Sequence, residues 1–127
     1  MLLLDTQVAL WVLAAYPRLG ARTTEVIESA TVVHVSAATV WELTIKSMLG
    51  EIDVPEDLVT TFEVEGFELL DVAPEHAAAL RRFPELRRHD PFDRLLVAQS
   101  FTMGLQLVTA DRILLAQDYP FTVDARN

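Results

Sequence analysis

Two aspartates on one helical turn open the run His89-Asp90-Pro91-Phe92-Asp93-Arg94-Leu95-Leu96-Val97-Ala98-Gln99. Pro91 suits the first position of a helix, where a missing N–H costs no hydrogen bond. Asp90 before it is a natural cap. Leu95, Leu96 and Ala98 then predict the buried stripe of a helix reaching about Met103. Asp90 and Asp93 share one side of its first turn and can address a common point outside it. A purely structural account is also open. Asp90 caps, Asp93 favours the positive end of the helix dipole, and Asp90 pairs with Arg94 at i, i+4. The pair gains chemical meaning only if other carboxylates arrive at the same place.

Three others can. Asp5 directly follows the apolar run Leu2-Leu3-Leu4. Asp111 follows Leu105–Val108 after Thr109-Ala110. Glu42 stands next to Trp41, beside an apolar stripe, where a carboxylate without a partner is costly. Asp5 and Asp111 also suit helix caps, and Glu42 can pair with Lys46 at i, i+4. A set of carboxylates selects a hard divalent cation, Mg²⁺ or Mn²⁺, which takes oxygen ligands and keeps some waters. Such an ion activates water and offsets charge on a phosphate, which carboxylates alone would repel. His34 reads as a strand residue, His76 and His89 stand singly without ligand-type spacing, and Trp11 and Trp41 read as packing residues.

The elements that must position these acids alternate. Leu2–Leu4 predicts a strand buried on both faces, and Thr6 to about Ala15 a helix ended by Pro17 and Gly20. A second helix is expected over about Ala21–Ala30, and a second strand over Val32–Val35. Ser36 caps a helix running to about Leu49, with Ala38, Trp41, Ile45, Met48 and Leu49 as its inward stripe and Gly50 as its stop. Pro55 opens a helix to about Val64, closed by Gly66. Phe67–Val72 is a third strand, and Pro74 starts a helix to Arg82. Pro84–His89 forms a basic connector into the acid-bearing helix. Leu105–Val108 is a fourth strand, a short helix follows to about Gln117, and Phe121–Val123 is a fifth strand. Apolar strands alternating with helices predict an α/β fold with a mostly parallel sheet covered on both faces. Ligands of such sheets bind beyond the carboxyl ends of the strands. All five acids can reach that edge, and which of them converge depends on strand order.

The length of 127 residues suits a single domain over 1–127, and a hydrophobic fraction of 51% argues against disorder. The net charge of −9 argues against a broad basic surface for duplex nucleic acid. A nuclease is still compatible, because bound metal offsets acid charge locally. The absence of cysteine excludes disulfides, thiolate zinc sites and cysteine nucleophiles, and fits a cytoplasmic protein. The apolar start is interrupted by Asp5 and lacks a basic leader region, and no stretch is long and clean enough to span a bilayer. Half of the ten basic residues fall in one stretch: Arg81, Arg82, Arg87, Arg88 and Arg94. Such a run is either a solvated face or a patch that holds a nucleic-acid backbone.

Four segments in order resemble the PIN domain family, in its VapC-type toxin branch. They are Leu3-Leu4-Asp5-Thr6, Ser36-Ala37-Ala38-Thr39-Val40-Trp41-Glu42 with Lys46 and Leu49-Gly50, His89-Asp90-Pro91-Phe92-Asp93-Arg94-Leu95-Leu96, and Thr109-Ala110-Asp111. The resemblance covers essentially the whole chain. It implies a five-stranded sheet ordered 3-2-1-4-5 with Asp5 and Asp111 together and Glu42 and Asp93 closing the site. It implies a Mg²⁺- or Mn²⁺-dependent endoribonuclease that hydrolyses RNA with water and forms no covalent intermediate. Asp5 and Asp93 would be the principal metal ligands, with Glu42 holding metal or orienting water and Asp111 completing the site. Asp90 is the alternate to Asp93, and Thr6 and Thr109 would support the acids or their waters. A homodimer and a VapB-type antitoxin partner are also implied, with the exposed side of the first helices as the receiving surface.

Rival readings carry different requirements. A receiver-type regulatory module wants adjacent acids after its first strand and a late lysine, whereas the one lysine here is Lys46. A phosphatase built on Asp-x-Asp needs a second acid that Asp5-Thr6-Gln7 lacks. A catalytically silent PIN-like module that only binds a partner is the remaining alternative.

Overall fold

The computed structural model describes residues 1–15 and 18–127, so the proposed break at Pro17 lies outside the described residues. Five parallel strands form one sheet in the order β3-β2-β1-β4-β5. They are β1 (Leu2–Leu4), β2 (Val33–Ser36), β3 (Glu68–Leu70), β4 (Gln106–Thr109) and β5 (Thr122–Asp124). The helices between them are α1 (Thr6–Ala14), α2 (Ala21–Ser29), α3 (Ala37–Met48), α4 (Leu58–Val64), α5 (Pro74–Ala78), α6 (Pro91–Met103) and α7 (Arg112–Ala116).

Central β1 explains why the leucine run has no polar alternation. Leu2 and Leu4 pack into one core with Val8, Val35, Leu43 and Phe62, while Leu3 packs into the other with Leu86, Leu96, Leu107 and Leu114. Leu3 and Leu4 are wholly buried, and each such burial contributes roughly 1.5–3 kcal/mol. The first core lies under α1, α3 and α4, and the second under α6 and α7. Strand register does the positioning. Leu4 pairs with Val35 on one side and Val108 on the other. One residue further along, Asp5 and Thr109 therefore stand side by side at the carboxyl edge of the sheet.

Several sequence expectations shift. The inward face of α3 is Ala38, Thr39, Glu42 and Leu43, whereas Trp41, Ile45, Met48 and Leu49 are exposed. The helix is rotated because its inner side packs on β2, α1 and α6 and also delivers Glu42 to the sheet edge. Trp41 lies outside, edge-on to Phe92 at 5.1 Å between ring centroids. Helix α4 starts at Leu58 rather than Pro55, because the Asp57 carboxylate accepts from the Thr60 N–H at 3.0 Å and fixes the first turn there. The helix opened by Pro74 stops at Ala78 and tightens to a 3₁₀ turn over Ala79–Arg82. In α6 the buried run is Leu96–Ser100, with Leu95 only half-buried. The last strand begins one residue later than Phe121.

Candidate active site

The carboxyl edge of β1 and β4 forms the floor of a groove of about 680 Å³. Asp5, Glu42, Asp90, Asp93 and Asp111 all line it, with Thr6 beside them. Three of the acids arrive as helix caps and two from within helices.

Asp5 ends β1 and caps α1, accepting the Val8 N–H on Oδ1 at 2.8 Å. Its Oδ2 accepts a short hydrogen bond from the Thr109 hydroxyl. The same Thr109 oxygen accepts the Asp111 N–H at 3.0 Å, so one buried hydroxyl ties both acids to the end of β4. Burial pushes the Asp5 carboxyl up to about 6. The Thr109 and Val8 hydrogen bonds pull it back in part, and the nearby Asp111 and Glu42 charges raise it further.

Asp111 caps α7, taking the Ile113 and Leu114 N–H groups on Oδ1 at 2.9 and 3.0 Å and leaving Oδ2 turned elsewhere. Asp90 caps α6, taking the Phe92 and Asp93 N–H groups at 2.9 and 3.1 Å. Its expected pairing with Arg94 does not form: the Arg94 guanidinium donates instead to the Arg87 carbonyl at 3.2 Å. Asp93, one turn into α6, has its carboxyl pushed up to about 7. Burial is the main cause, followed by the like charges of Asp5, Asp90 and Asp111, while His89 lowers it.

Glu42 is buried on α3. Its Oε2 accepts from Lys46 Nζ at 2.9 Å, and this bond raises the lysine pKa. Its Oε1 is buried without a hydrogen-bond partner among the described residues. A buried carboxylate oxygen without a partner is costly.

The structure adds one residue and relocates others. His89 was read from sequence as an isolated histidine. Its Nε2 lies 3.1 Å from Asp93 Oδ2 and 3.5 Å from Asp111 Oδ2. Among the described residues, His89, Asp93 and Asp111 form the one trio of ligand-type side chains whose donor atoms all lie within 4.8 Å of one another. The i, i+4 spacing of His89 and Asp93 was the available signal. It was obscured because Asp90 and Pro91 start the helix between them. Thr6 bonds the Thr39 hydroxyl at 3.1 Å rather than an acid. None of Arg81, Arg82, Arg87, Arg88 and Arg94 lines the groove. Arg82 instead stacks over the Phe101 ring at 5.2 Å, and the Arg87 guanidinium donates to the Pro84 carbonyl at 3.3 Å. The basic side chains that do line it are Arg18, Lys46 and Arg126.

Comparison with known proteins gives this arrangement a family. The PIN domain matches residues 2–118. The chain belongs to the PIN domain family. It is 30% identical over 120 residues to Ribonuclease VapC22 of Mycobacterium tuberculosis (strain ATCC 25618 / H37Rv), covering 93% of this chain and 92% of that one. Among solved structures, a toxin–antitoxin complex from Klebsiella pneumoniae contains a chain of the same fold, with a TM-score of 0.69 and 16% identity. The overlap covers 98% of both chains. FitAcB from Neisseria gonorrhoeae is similar at a TM-score of 0.66 and 22% identity, again over 98% of each chain. The strand order implied by the resemblance is the order observed. No helix among the described residues is long and apolar enough to cross a membrane.

Proposed function

We propose that this PIN domain chain is a divalent-metal-dependent endoribonuclease and the toxin of a VapBC-type toxin–antitoxin pair. The observation that carries the reading is the convergence of Asp5, Glu42, Asp93 and Asp111 on one groove, in a chain 30% identical to a VapC ribonuclease. The donor set suits a hard cation: the groove is lined by carboxylates, with one imidazole beside them and no thiolate. The buried, partnerless Glu42 Oε1 and the raised Asp5 and Asp93 carboxyls are what a site short of positive charge would show.

Asp5 and Asp93 are assigned as principal ligands of Mg²⁺ or Mn²⁺, with Glu42 and Asp111 completing the set and Asp90 as the alternate on the same turn. When bound, the ion offsets charge on the scissile phosphate and lowers the pKa of water. The protein supplies orientation. Thr109 holds the Asp5 carboxylate, and His89 spans Asp93 and Asp111. Glu42 holds metal or orients the attacking water, with Lys46 fixing its Oε2. Hydrolysis adds that water to phosphorus and releases one ribose oxygen, with no covalent enzyme intermediate. A homodimer neutralised by a cognate VapB-type antitoxin is the assembly that accompanies this activity. The test is mapping of cut ends in cellular RNA after brief expression of the wild type and Asp5→Asn. New ends are expected only with the wild type. Identical end profiles from the two chains would remove the assignment.

A further inference from the structure

The acid groove carries its substrate problem on its face: five carboxylates line it, and RNA is a polyanion. The arginine-rich stretch that sequence offered as a counterweight points elsewhere. Of the three basic side chains in the groove, Lys46 is taken by Glu42. Arg126 is held in a different way.

The segment around Arg126 is anchored at both sides. Ala125 is wholly buried, its N–H donates to the Thr109 carbonyl at 2.8 Å, and its own carbonyl accepts the Gly20 N–H at 2.9 Å. The Asn127 carbonyl accepts the Thr23 N–H at 3.0 Å and the Thr23 hydroxyl at 3.1 Å. The approach is close enough that a Cβ on Gly20 would lie 1.9 Å from the Asn127 carbonyl oxygen. Between these anchors, the Asp124 carboxylate accepts the Arg126 backbone N–H at 2.9 Å and its Nε at 3.4 Å. The guanidinium is thus gripped on its Nε side, and no hydrogen bond among the described residues engages Nη1 or Nη2. Its side chain is 39% exposed and lines the groove with the acids. The backbone beneath it is bonded directly to Thr109, which also orients Asp5. A guanidinium with two free, oriented N–H₂ groups matches phosphate oxygens in a bidentate fork.

We propose that Arg126 is the substrate-positioning residue of the groove, binding a backbone phosphate of single-stranded RNA next to the scissile one. The assignment rests on the ribonuclease reading above and goes beyond it in naming the group that holds the substrate. Asp124 is the positioning partner that aims the guanidinium.

The test combines cleavage kinetics on a fluorescent single-stranded RNA in Mg²⁺ with RNA binding by anisotropy in the inert Asp93→Asn background. Arg126→Ala is expected to raise KM about tenfold, the low end for a charge-assisted hydrogen bond, with kcat within about twofold. The salt dependence of binding should flatten by about 0.7 in log–log slope, the loss of one phosphate contact on a single strand. Arg126→Lys should restore the salt slope but only part of the KM. Asp124→Asn discriminates aim from charge. It makes the chain less acidic, so bulk electrostatics lowers KM, whereas loss of aim raises it. Unchanged KM and salt slope in Arg126→Ala would overturn the proposal, as would a lower KM in Asp124→Asn. If the wild type binds RNA but does not cut it, the ribonuclease reading fails while Arg126 is still judged by the binding arm. Absence of RNA binding by the wild type overturns both.

Discussion

Asp5 and Asp93 face the same groove, but the chain holds them by opposite means. Asp5 is an appendage of the sheet. Its position follows from the Leu4–Val108 register, both its oxygens are already bonded, and it is nearly fully buried. Asp93 belongs to the partly exposed first turn of α6, and its carboxylate is steadied by His89, which lies in the loop just before. Both carboxyls are raised, Asp5 by burial set against two hydrogen bonds, Asp93 by burial together with three neighbouring acids. One acid is fixed by long-range topology and the other by a local connection. Substitutions at the two ends should therefore share a functional consequence and differ in their structural one.

The largest expected effect is on cleavage. Asp5→Asn and Asp93→Asn should each lower RNA hydrolysis by more than about 100-fold, beyond the roughly 10–100-fold typical of losing an outer partner of a metal ligand. Their melting temperatures should then separate. Asp93→Asn relieves repulsion with Asp5, Asp90 and Asp111 and is expected to melt higher than wild type at pH 8 without divalent metal. Asp5→Asn leaves one acceptor oxygen for two donors, the Val8 N–H and the Thr109 hydroxyl, and should gain less. Equal melting shifts would erase the distinction between the two ends.

Next in size is the pH dependence of stability in EDTA. Both carboxyls titrate higher in the folded state, about 6 and about 7 against 3.8. Between these values the folded chain binds more protons than the unfolded one, so stability falls as pH rises from about 4 to about 7 and then levels off. Asp5 alone corresponds to about 3 kcal/mol. Thermal melts should therefore be higher at pH 5 than at pH 8, and Mn²⁺ added at pH 8 should recover the loss. A melting temperature that rises from pH 5 to pH 8 in EDTA would contradict the assigned burial of like charges.

How far sequence alone reaches follows the same division. The leucine run, the caps at Asp5, Ser36, Asp90 and Asp111, and the alternation of strand and helix are local signals, and they placed nearly every element. The strand order came from resemblance, because nothing in Leu2–Leu4 by itself says which strands flank it. The phase of α3 was misread because Trp41, Ile45 and Met48 form a plausible inward stripe. The inner face instead went to Thr39, Glu42 and Leu43, since polar residues there meet Thr6, Lys46 and the groove. The basic run from Arg81 to Arg94 was legible as charge but not as direction. Three of its side chains, Arg82, Arg87 and Arg94, fold back on carbonyls or on Phe101. Arg126 was invisible and His89 obscured for a related reason: what they contact depends on loops whose course no periodicity encodes.

Thr109 and His89 supply the finest test, because each supports one end of the groove. Thr109→Val deletes the donor to Asp5 and the acceptor of the Asp111 N–H inside the core. Leaving such groups unsatisfied costs about 1–3 kcal/mol, so lower stability and a loss of activity of about 10–100-fold should come together. His89→Gln changes a mostly buried side chain, 13% exposed, to one of similar size, and its bonds are only to the acids, so activity should fall by about tenfold with melting nearly unchanged. The deciding measurement is Mn²⁺ affinity by titration calorimetry on both variants, alongside their melts. Weaker binding in both, with destabilisation in Thr109→Val alone, supports a groove with one rigid and one adjustable wall. Destabilisation of similar size in His89→Gln would mean that the loop before α6 is as integral to the fold as the sheet edge, and the contrast between the two aspartates would be lost.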